Sequence, residues 1–215
     1  DIDRLRQYMR ESEKAENDLV RVLQSAKNRP SPIDGYFGAV YYIGPIFTAF
    51  RGTPEASQFY SLLRQEIDER VRLGKGPITP DGEMGEEKYR LVTEGPPNWT
   101  SFRDFWKMFY DEGAVVVAST YSKVGGLYDF GFRHDADHPL ESLADYCLGC
   151  YTNLNLPSRI DMICKYIDEY QADGLLINSI KSCNSFSAGQ LLILREVEKR
   201  TGKPAAFIET DLVDP

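Results

Sequence analysis

The sequence predicts an α/β fold, with a doubly wound and mainly parallel sheet that follows a helical connecting region. From Tyr89 onward, short apolar segments alternate with segments of helical spacing, as in sheets whose parallel strands are joined by helices. The preceding residues show helical spacing and no comparable strand pattern. We therefore expect a helical connecting region at residues 1–79 and an α/β domain at residues 88–215.

Three helices are expected in the connecting region. Residues 3–28 place apolar side chains in a narrow stripe, which is typical of a surface helix. Residues 36–50 are aromatic and almost uncharged, and their spacing does not separate strand from helix; we favour a buried helix. The third helix should begin at Thr53-Pro54-Glu55, which combines a cap residue, a first-turn proline and an acid, and should stop at Gly74.

Four strands are expected in the α/β domain, at residues 89–93, 114–120, 174–180 and 205–209. Helices at residues 101–110, 159–170 and 188–201 separate them, and the long stretch 121–158 has the composition of a loop. The expected sheet is flavodoxin-like. Because the strands are parallel, the segments that follow them should meet at one edge, where such folds place their chemistry.

Cys183 is the leading candidate at that edge, since it lies between a predicted strand and a predicted helix. Lys181 and the amide groups at the start of the helix would both favour a thiolate, the form that binds metals or attacks electrophiles. The alternative is a buried thiol that acts as a small apolar side chain. Five further residues follow predicted strands and should lie within a substrate's length of Cys183: Asn98, Trp99, Tyr121, Lys181 and Asn184.

Other possible metal ligands have weaker support. Cys147 and Cys150 form a CxxC pair, which suits redox chemistry or half of a zinc site, but no second pair accompanies it. Cys164 falls on the apolar side of a predicted helix and is expected in the core. His134 and His138 flank two aspartates in a polar segment, for which a solvated loop is favoured over a metal site.

Composition narrows the classes of partner. The chain has 215 residues and a formal net charge of −8, which argues against nucleic acid and anionic membrane. No apolar run approaches the roughly 20 residues that span a bilayer, and the charged first residues argue against a signal peptide. Four cysteines do not suggest a secreted disulfide scaffold, so a reducing cytoplasm is the expected setting.

The order of several motifs adds a resemblance to a known family. YRLVTEGPPNW, AVVVASTYSKVGGLYD and DYCLGCYTN are followed by a strand, a turn with Cys183, an Arg-Glu helix, Gly-x-Pro and a final strand ending in an acid. In this order the chain resembles the benzoyl-CoA reductase and 2-hydroxyacyl-CoA dehydratase family along almost its whole length. The resemblance is strongest to a cluster- and substrate-binding (B-type) subunit of an ATP-dependent benzoyl-CoA reductase. The last segment matches at Gly174–Ile180, Lys181-Ser182-Cys183, Arg195-Glu196, Gly202-Lys203-Pro204 and Asp211.

The resemblance implies a cofactor and a place in a larger subunit. Members of the family have two α/β domains and bind a [4Fe-4S] cluster through three cysteines, two of which lie in the amino-terminal domain. The chain would then be the carboxyl-terminal domain without its last helix, and Cys183 would be its one cluster ligand. Cys147 and Cys150 do not match the family's ligand positions, and their role stays open.

The resemblance also implies a reaction and partners. The expected reaction is reductive dearomatisation of benzoyl-CoA or a related acyl-CoA in anaerobic aromatic degradation, with Trp99, Tyr121 and Tyr128 as candidates for an aromatic-lined pocket. The expected partners are a homologous second cluster-binding subunit, ATP-hydrolysing electron-activating subunits and ferredoxin as the distant electron source. Two alternatives stay open: a 2-hydroxyacyl-CoA dehydratase subunit, which is a radical lyase, and a non-catalytic α/β interaction module.

Overall fold

The computed structural model describes residues 1–36, 38, 44, 50–123 and 126–211, so most of the helix expected at residues 36–50 lies outside the described part. Six strands are present there. They are β1 (Ile78–Thr79), β2 (Gly82–Glu83), β3 (Tyr89–Glu94), β4 (Ala114–Ser119), β5 (Gly174–Ile180) and β6 (Ala205–Thr210). The first two form a small antiparallel hairpin that the sequence did not predict. The other four form the predicted sheet, in which every neighbouring pair is parallel.

The strand order in the sheet is β4-β3-β5-β6. The chain moves outward from β3 to β4, returns across β3 to β5 and continues to β6. The order therefore reverses between the two central strands, where Leu91 pairs with Gly174 and Glu94 with Ile177. Open α/β sheets bind ligands outside the carboxyl ends of the strands at such a reversal. This topology confirms the expected α/β, flavodoxin-like fold.

Helices cover both faces of the sheet. The helices are α1 (Ile2–Gln24), α2 (Pro54–Arg72), α3 (Phe102–Asp111), α4 (Pro139–Gly149), α5 (Leu156–Glu169), α6 (Asn184–Ser187) and α7 (Gln190–Thr201). On one face, Val115 and Ile177 pack with Ile163 of α5 and Ile193 of α7. On the other face, Val116 packs with side chains of α3 and with Tyr36. Alternate residues of β4 thus enter different cores, as period-two side-chain alternation requires.

The predicted start of α2 is confirmed in detail. Pro54 is its first residue, and the Thr53 hydroxyl accepts a hydrogen bond from the Ala56 amide at 3.3 Å. Gly74 follows the end of the helix with a φ of +63°, a conformation that glycine adopts without steric cost. Cap, proline and terminal glycine were sufficient to place this helix because each acts locally, on the backbone at one end of the helix.

Helix α4 corrects the expectation that residues 121–158 form one long loop. It begins at Pro139, where a proline costs no hydrogen bond because first-turn amides have no partner within a helix. Two of its leucines, Leu140 and Leu148, are 64% and 70% exposed. The helix therefore lacks the continuous apolar stripe that identifies a helix in a sequence.

The connecting helices and the sheet share buried contacts. Val22 of α1 and Ile67 of α2 belong to the same apolar cluster as the sheet residues that face α5 and α7. Buried Arg90 of β3 strengthens the junction by donating hydrogen bonds to backbone carbonyls of residues 26, 28 and 170. The division at residues 1–79 and 88–215 stays a prediction. Of the helices that the structure describes, none is both long enough and apolar enough to cross a bilayer.

Candidate functional site

Three segments are tied together at the carboxyl edge of the sheet, where the strand order reverses. The key position is Gly95, directly after β3, whose φ is +100°. A Cβ atom there would lie 2.1 Å from the carbonyl oxygen of Asn178, so only glycine fits. The Gly95 amide donates to the Thr120 hydroxyl at 3.2 Å, and the Asn178 amide donates to the Pro96 carbonyl at 2.6 Å. The exits from β3 and β4 are thereby fixed against β5.

Cys183 lies at this edge, immediately before the single turn of α6. Its amide donates to the Ile180 carbonyl at 3.0 Å, and its own carbonyl accepts from the amides of Phe186 at 3.2 Å and Ser187 at 3.0 Å. The thiol is free and half-buried. These backbone hydrogen bonds therefore fix the main chain of Cys183 at the carboxyl edge of the sheet.

A row of aromatic side chains runs from the surface into the protein beside Cys183. We call Trp99, Tyr121, Phe186 and Tyr151 the aromatic row. Successive ring centroids are 6.0, 6.2 and 5.7 Å apart. Trp99 is 41% exposed at one end, whereas Tyr151 is fully buried at the other. Burial raises the pKa of Tyr121, and the nearby Cys183 raises it further.

The polar candidates also lie at the ends of the strands. Lys181 is exposed and forms an ion pair with Glu209 of β6 at 3.2 Å. Asn184 is the exposed first residue of α6. The Asn98 amide donates to the hydroxyl of Tyr36 at 2.9 Å. The structure thus places these residues, Trp99, Tyr121 and Cys183 on one edge, and their roles in binding stay predictions.

Tyr128 is not a member of the aromatic row, and its part in an aromatic-lined pocket stays a prediction. It is 2% exposed and belongs to an apolar cluster with Leu19, Val20 and Tyr60, against which Tyr121 also packs. Its hydroxyl accepts a hydrogen bond from Arg51 at 2.5 Å. It follows β4 by too many residues for strand direction alone to fix its place.

The remaining thiols and the histidines do not form a metal site in the described part of the chain. Cys147 is exposed on α4, and burial, followed by the proximity of Cys147, raises the pKa of Cys150. Burial also raises the pKa of Cys164 on α5. Across residues 1–36, 38, 44, 50–123 and 126–211, no three Cys, His, Asp or Glu side chains converge on a possible metal position.

The two histidines of the polar segment have different environments. His138 is exposed and pairs with Asp135 at 3.0 Å, as expected for a solvated loop. His134 is 3% exposed, and its imidazole contacts the buried carboxyl of Glu16 on α1. The expectation of a solvated loop is therefore wrong for His134, since a distant helix covers it.

Glu94, the last residue of β3, is a buried carboxyl that the sequence reasoning missed as a functional candidate. Its Oε1 accepts a hydrogen bond from the Tyr151 hydroxyl at 3.0 Å, and its Oε2 accepts one from the Gln190 amide. Burial raises its pKa to about 7, although these donors and the charge of Arg159 act in the opposite direction. The sequence did show an acid at the end of a predicted strand, which was the available signal for a functional residue. It did not show that this acid is buried.

Comparison with known proteins identifies a family with a similar sequence. All residues of the chain, 1–215, match the family model described as 2-hydroxyglutaryl-CoA dehydratase, D-component. The chain belongs to this family. The family resemblance seen in the sequence is thus confirmed.

Three relatives illustrate the range of the family. Over its whole length, the chain is 78% identical to half of the B-type subunit of benzoyl-CoA reductase from Thauera aromatica. It is 24% identical, also over its whole length, to 49% of the (R)-phenyllactyl-CoA dehydratase alpha subunit of Clostridium sporogenes. Over 88% of its length it is 29% identical to 43% of the (R)-2-hydroxyisocaproyl-CoA dehydratase alpha subunit of Clostridioides difficile. The chain spans about half the length of these relatives.

Proposed function

We propose that the full-length protein is a subunit of an ATP-dependent benzoyl-CoA reductase, an oxidoreductase that adds electrons and protons to the ring of benzoyl-CoA or a related acyl-CoA. The observation that carries this proposal is the 78% identity to the B-type subunit of the Thauera aromatica benzoyl-CoA reductase over all 215 residues. Identity to the two dehydratase subunits is only 24% and 29%. The protein would serve anaerobic degradation of aromatic compounds.

Within this function, Cys183 would be one ligand of a [4Fe-4S] cluster. A free, half-buried thiol at the carboxyl edge of the sheet suits that role. Iron–sulfur cubanes are held by several cysteines, and no three Cys, His, Asp or Glu side chains of the described residues converge on a metal position. The other ligands would therefore come from another part of the full-length protein. When bound, the cluster would supply single electrons at low potential.

The aromatic row would receive the ring of the substrate. Exposed Trp99 offers a flat surface for stacking, and Tyr121 lies behind it beside Cys183. Phe186 and Tyr151 are buried further inside and would keep water out of the inner end of the row. Asn98, Lys181 and Asn184 would contact the polar part of the acyl-CoA.

The reaction would also need partners. We propose a homologous second cluster-binding subunit, ATP-hydrolysing subunits that activate electrons, and ferredoxin as the distant source. That the relatives are themselves named as subunits supports an assembly of this kind. The four free thiols support a cytoplasmic, reducing setting.

Anaerobic purification of the full-length complex tests the proposal. We expect bound iron and ATP-dependent reduction of the ring of benzoyl-CoA, with no dehydration of a 2-hydroxyacyl-CoA. Dehydration of the hydroxyacyl ester without reduction of benzoyl-CoA would instead identify a dehydratase subunit, the activity that the name of the family model favours. A complex without iron and without either activity would support a non-catalytic module.

A further inference from the structure

Glu94 connects two distant segments of the chain in the interior. Its side chain is fully buried, and each carboxyl oxygen receives one hydrogen bond, from Tyr151 at 3.0 Å and from Gln190. Both partners are themselves buried, with exposures of 0% and 1%. Tyr151 precedes α5, and Gln190 is the first residue of α7. The carboxyl therefore fixes the separation of these two segments.

The same two partners lie on either side of the Cys183 turn, defined as residues 181–187. The ring of Tyr151 stacks on Phe186 with the centroids 5.7 Å apart and an interplanar angle of 26°. Gln190 begins the helix that the turn leads into. A displacement of Tyr151 or Gln190 would therefore shift the carboxyl end of the turn.

Arg159 links the turn to the network a second time. Its guanidinium donates to the Ser185 carbonyl at 3.0 Å and to the Thr152 carbonyl at 2.7 Å. The same group lies 5.0 Å from the centre of the Tyr151 ring. The carbonyl of residue 185 and the ring of residue 186 are thus both held by groups that contact Tyr151.

We propose that Glu94 is a positioning residue for the Cys183 turn, acting through Tyr151 and Gln190. Glu94 cannot itself contact a ligand at this edge of the sheet, because its side chain is fully buried. Its role would be to keep the sulfur of Cys183 at a fixed place beside Tyr121. The inference rests on the proposed function only in treating Cys183 as the functional thiol.

The network can accommodate both charge states of Glu94. The Oε1 atom of Gln190 is buried and has no hydrogen-bond partner in the described part of the chain. A protonated Glu94 could donate its proton to that oxygen if the Gln190 amide turned over, whereas a charged Glu94 accepts from the amide nitrogen as observed. The groups facing the carboxyl are Tyr151, Gln190 and the cation of Arg159. Glutamine at position 94 should preserve the network in the same way as the neutral acid.

The test measures how fast Cys183 is alkylated by iodoacetamide in the iron-free, full-length subunit, read from its peptide by mass spectrometry. Tyr151→Phe removes the hydroxyl but keeps the ring, and Glu94→Leu removes both acceptors. Tyr151→Phe should accelerate alkylation about fivefold, the factor expected for loss of one buried hydrogen bond, and Glu94→Leu by at least as much, because it removes two. Glu94→Gln should stay within about twofold of the parent, since it can restore both contacts.

Tyr166→Phe is the matched control. Tyr166 is also buried and donates to a carboxylate, Asp129, at 2.8 Å, but its ring packs against Phe130 and Tyr170 and not against Phe186 of the Cys183 turn. It should leave the alkylation rate of Cys183 unchanged, and exposed Cys147 should react equally in all variants. Equal acceleration by Tyr166→Phe and Tyr151→Phe would overturn the inference, because it would indicate general loosening.

Two other results would also overturn it. One is an unchanged rate in Tyr151→Phe, the variant that is least disruptive to folding. The other is a rate in Glu94→Gln as high as in Glu94→Leu, because the network would then depend on the charge and not on the contacts. Alkylation requires neither cluster nor substrate, so its outcome is independent of whether the complex reduces benzoyl-CoA.

Discussion

The indole of Trp99 meets the ring of Tyr121 edge-on, with the centroids 6.0 Å apart and the planes at 71°. Phe102 stacks on Trp99 with its centroid 5.9 Å away, so one side of the indole is already occupied. A flat acyl group approaching from solvent would therefore meet the other side of Trp99 and the edge formed with Tyr121. The first prediction follows from this geometry.

Replacing Trp99 with alanine should weaken binding of benzoyl-CoA to the full-length complex. Loss of one aromatic stacking partner corresponds to about a tenfold rise in KM. The kcat value should change less, because Trp99 would orient the ring and not exchange protons with it. Steady-state kinetics over a range of benzoyl-CoA concentrations would measure both constants.

Tyr89→Ala provides the control for this prediction. Tyr89 is 54% exposed, like Trp99, but it begins β3 at the opposite end of the sheet. Its loss should leave KM unchanged. Equal effects of the two substitutions would contradict a binding site at the carboxyl edge.

Cys183→Ser should reduce the iron content and the reductase activity of the full-length complex together. Loss of a ligand should lower the affinity for the metal by at least about tenfold, since even the loss of a residue that hydrogen-bonds to a ligand lowers it by that much. Iron analysis and activity would be measured on the same preparation. Cys164→Ser is the matched control, because Cys164 lies within α5, where burial raises its pKa and disfavours the thiolate. Retention of full iron by the Cys183 variant would exclude this cysteine as a ligand.

The parts of the site that strand direction determines could be predicted from the sequence. The bounds of β5 were predicted to the residue, because Gly174–Ile180 is an apolar run with polar residues on both sides. A parallel sheet then required Trp99, Tyr121 and Cys183 to meet at one edge. Tyr151 and Phe186 were not predicted to join them, since their stacking depends on how two separate loops pack.

Gly95→Ala should lower the stability of the full-length subunit more than Gly131→Ala. The two glycines have nearly equal φ values, +100° and +98°, so the backbone strain of an added side chain is similar, about 1 to 3 kcal/mol. Only at Gly95 would the new Cβ also collide with Asn178, whereas Gly131 has no atom within 4 Å of that position. Thermal unfolding should show a clearly larger fall in Tm for Gly95→Ala. Equal falls would mean that the loop after β3 can move away from β5.

Stability should depend on pH through Glu94. The unfolded chain releases this proton near its ordinary pKa of 4.5, whereas burial lets the folded chain keep it up to about 7. Between these values the folded state binds more protons, so the free energy of unfolding falls as the pH rises, by on the order of 3 kcal/mol. Glu94→Gln lacks this contribution. The difference in stability between parent and variant should therefore vary between pH 4.5 and 7, and a constant difference would contradict the buried, titrating carboxyl.

Glu94 also shows why part of the site could not be predicted. Its hydrogen-bond partners lie 57 and 96 positions further along the chain. An acid at the end of a strand is usually solvated, and no local pattern indicates that a tyrosine and a glutamine will enclose it. The helix Pro139–Gly149 was missed for a related reason, because its exposed leucines interrupt the pattern that reveals most helices.

The buried guanidinium of Arg90 has a consequence for local opening of the protein. Its donors bind backbone carbonyls that lie 64, 62 and 80 positions away in the sequence, at Ala26, Asn28 and Tyr170. When one of these segments leaves β3, guanidinium N–H groups of Arg90 are left without an acceptor in the interior, which is costly although Glu87 still pairs with the charge. Their amide protons should therefore exchange with solvent at similar slow rates, through one shared opening event and not through separate fraying of each segment.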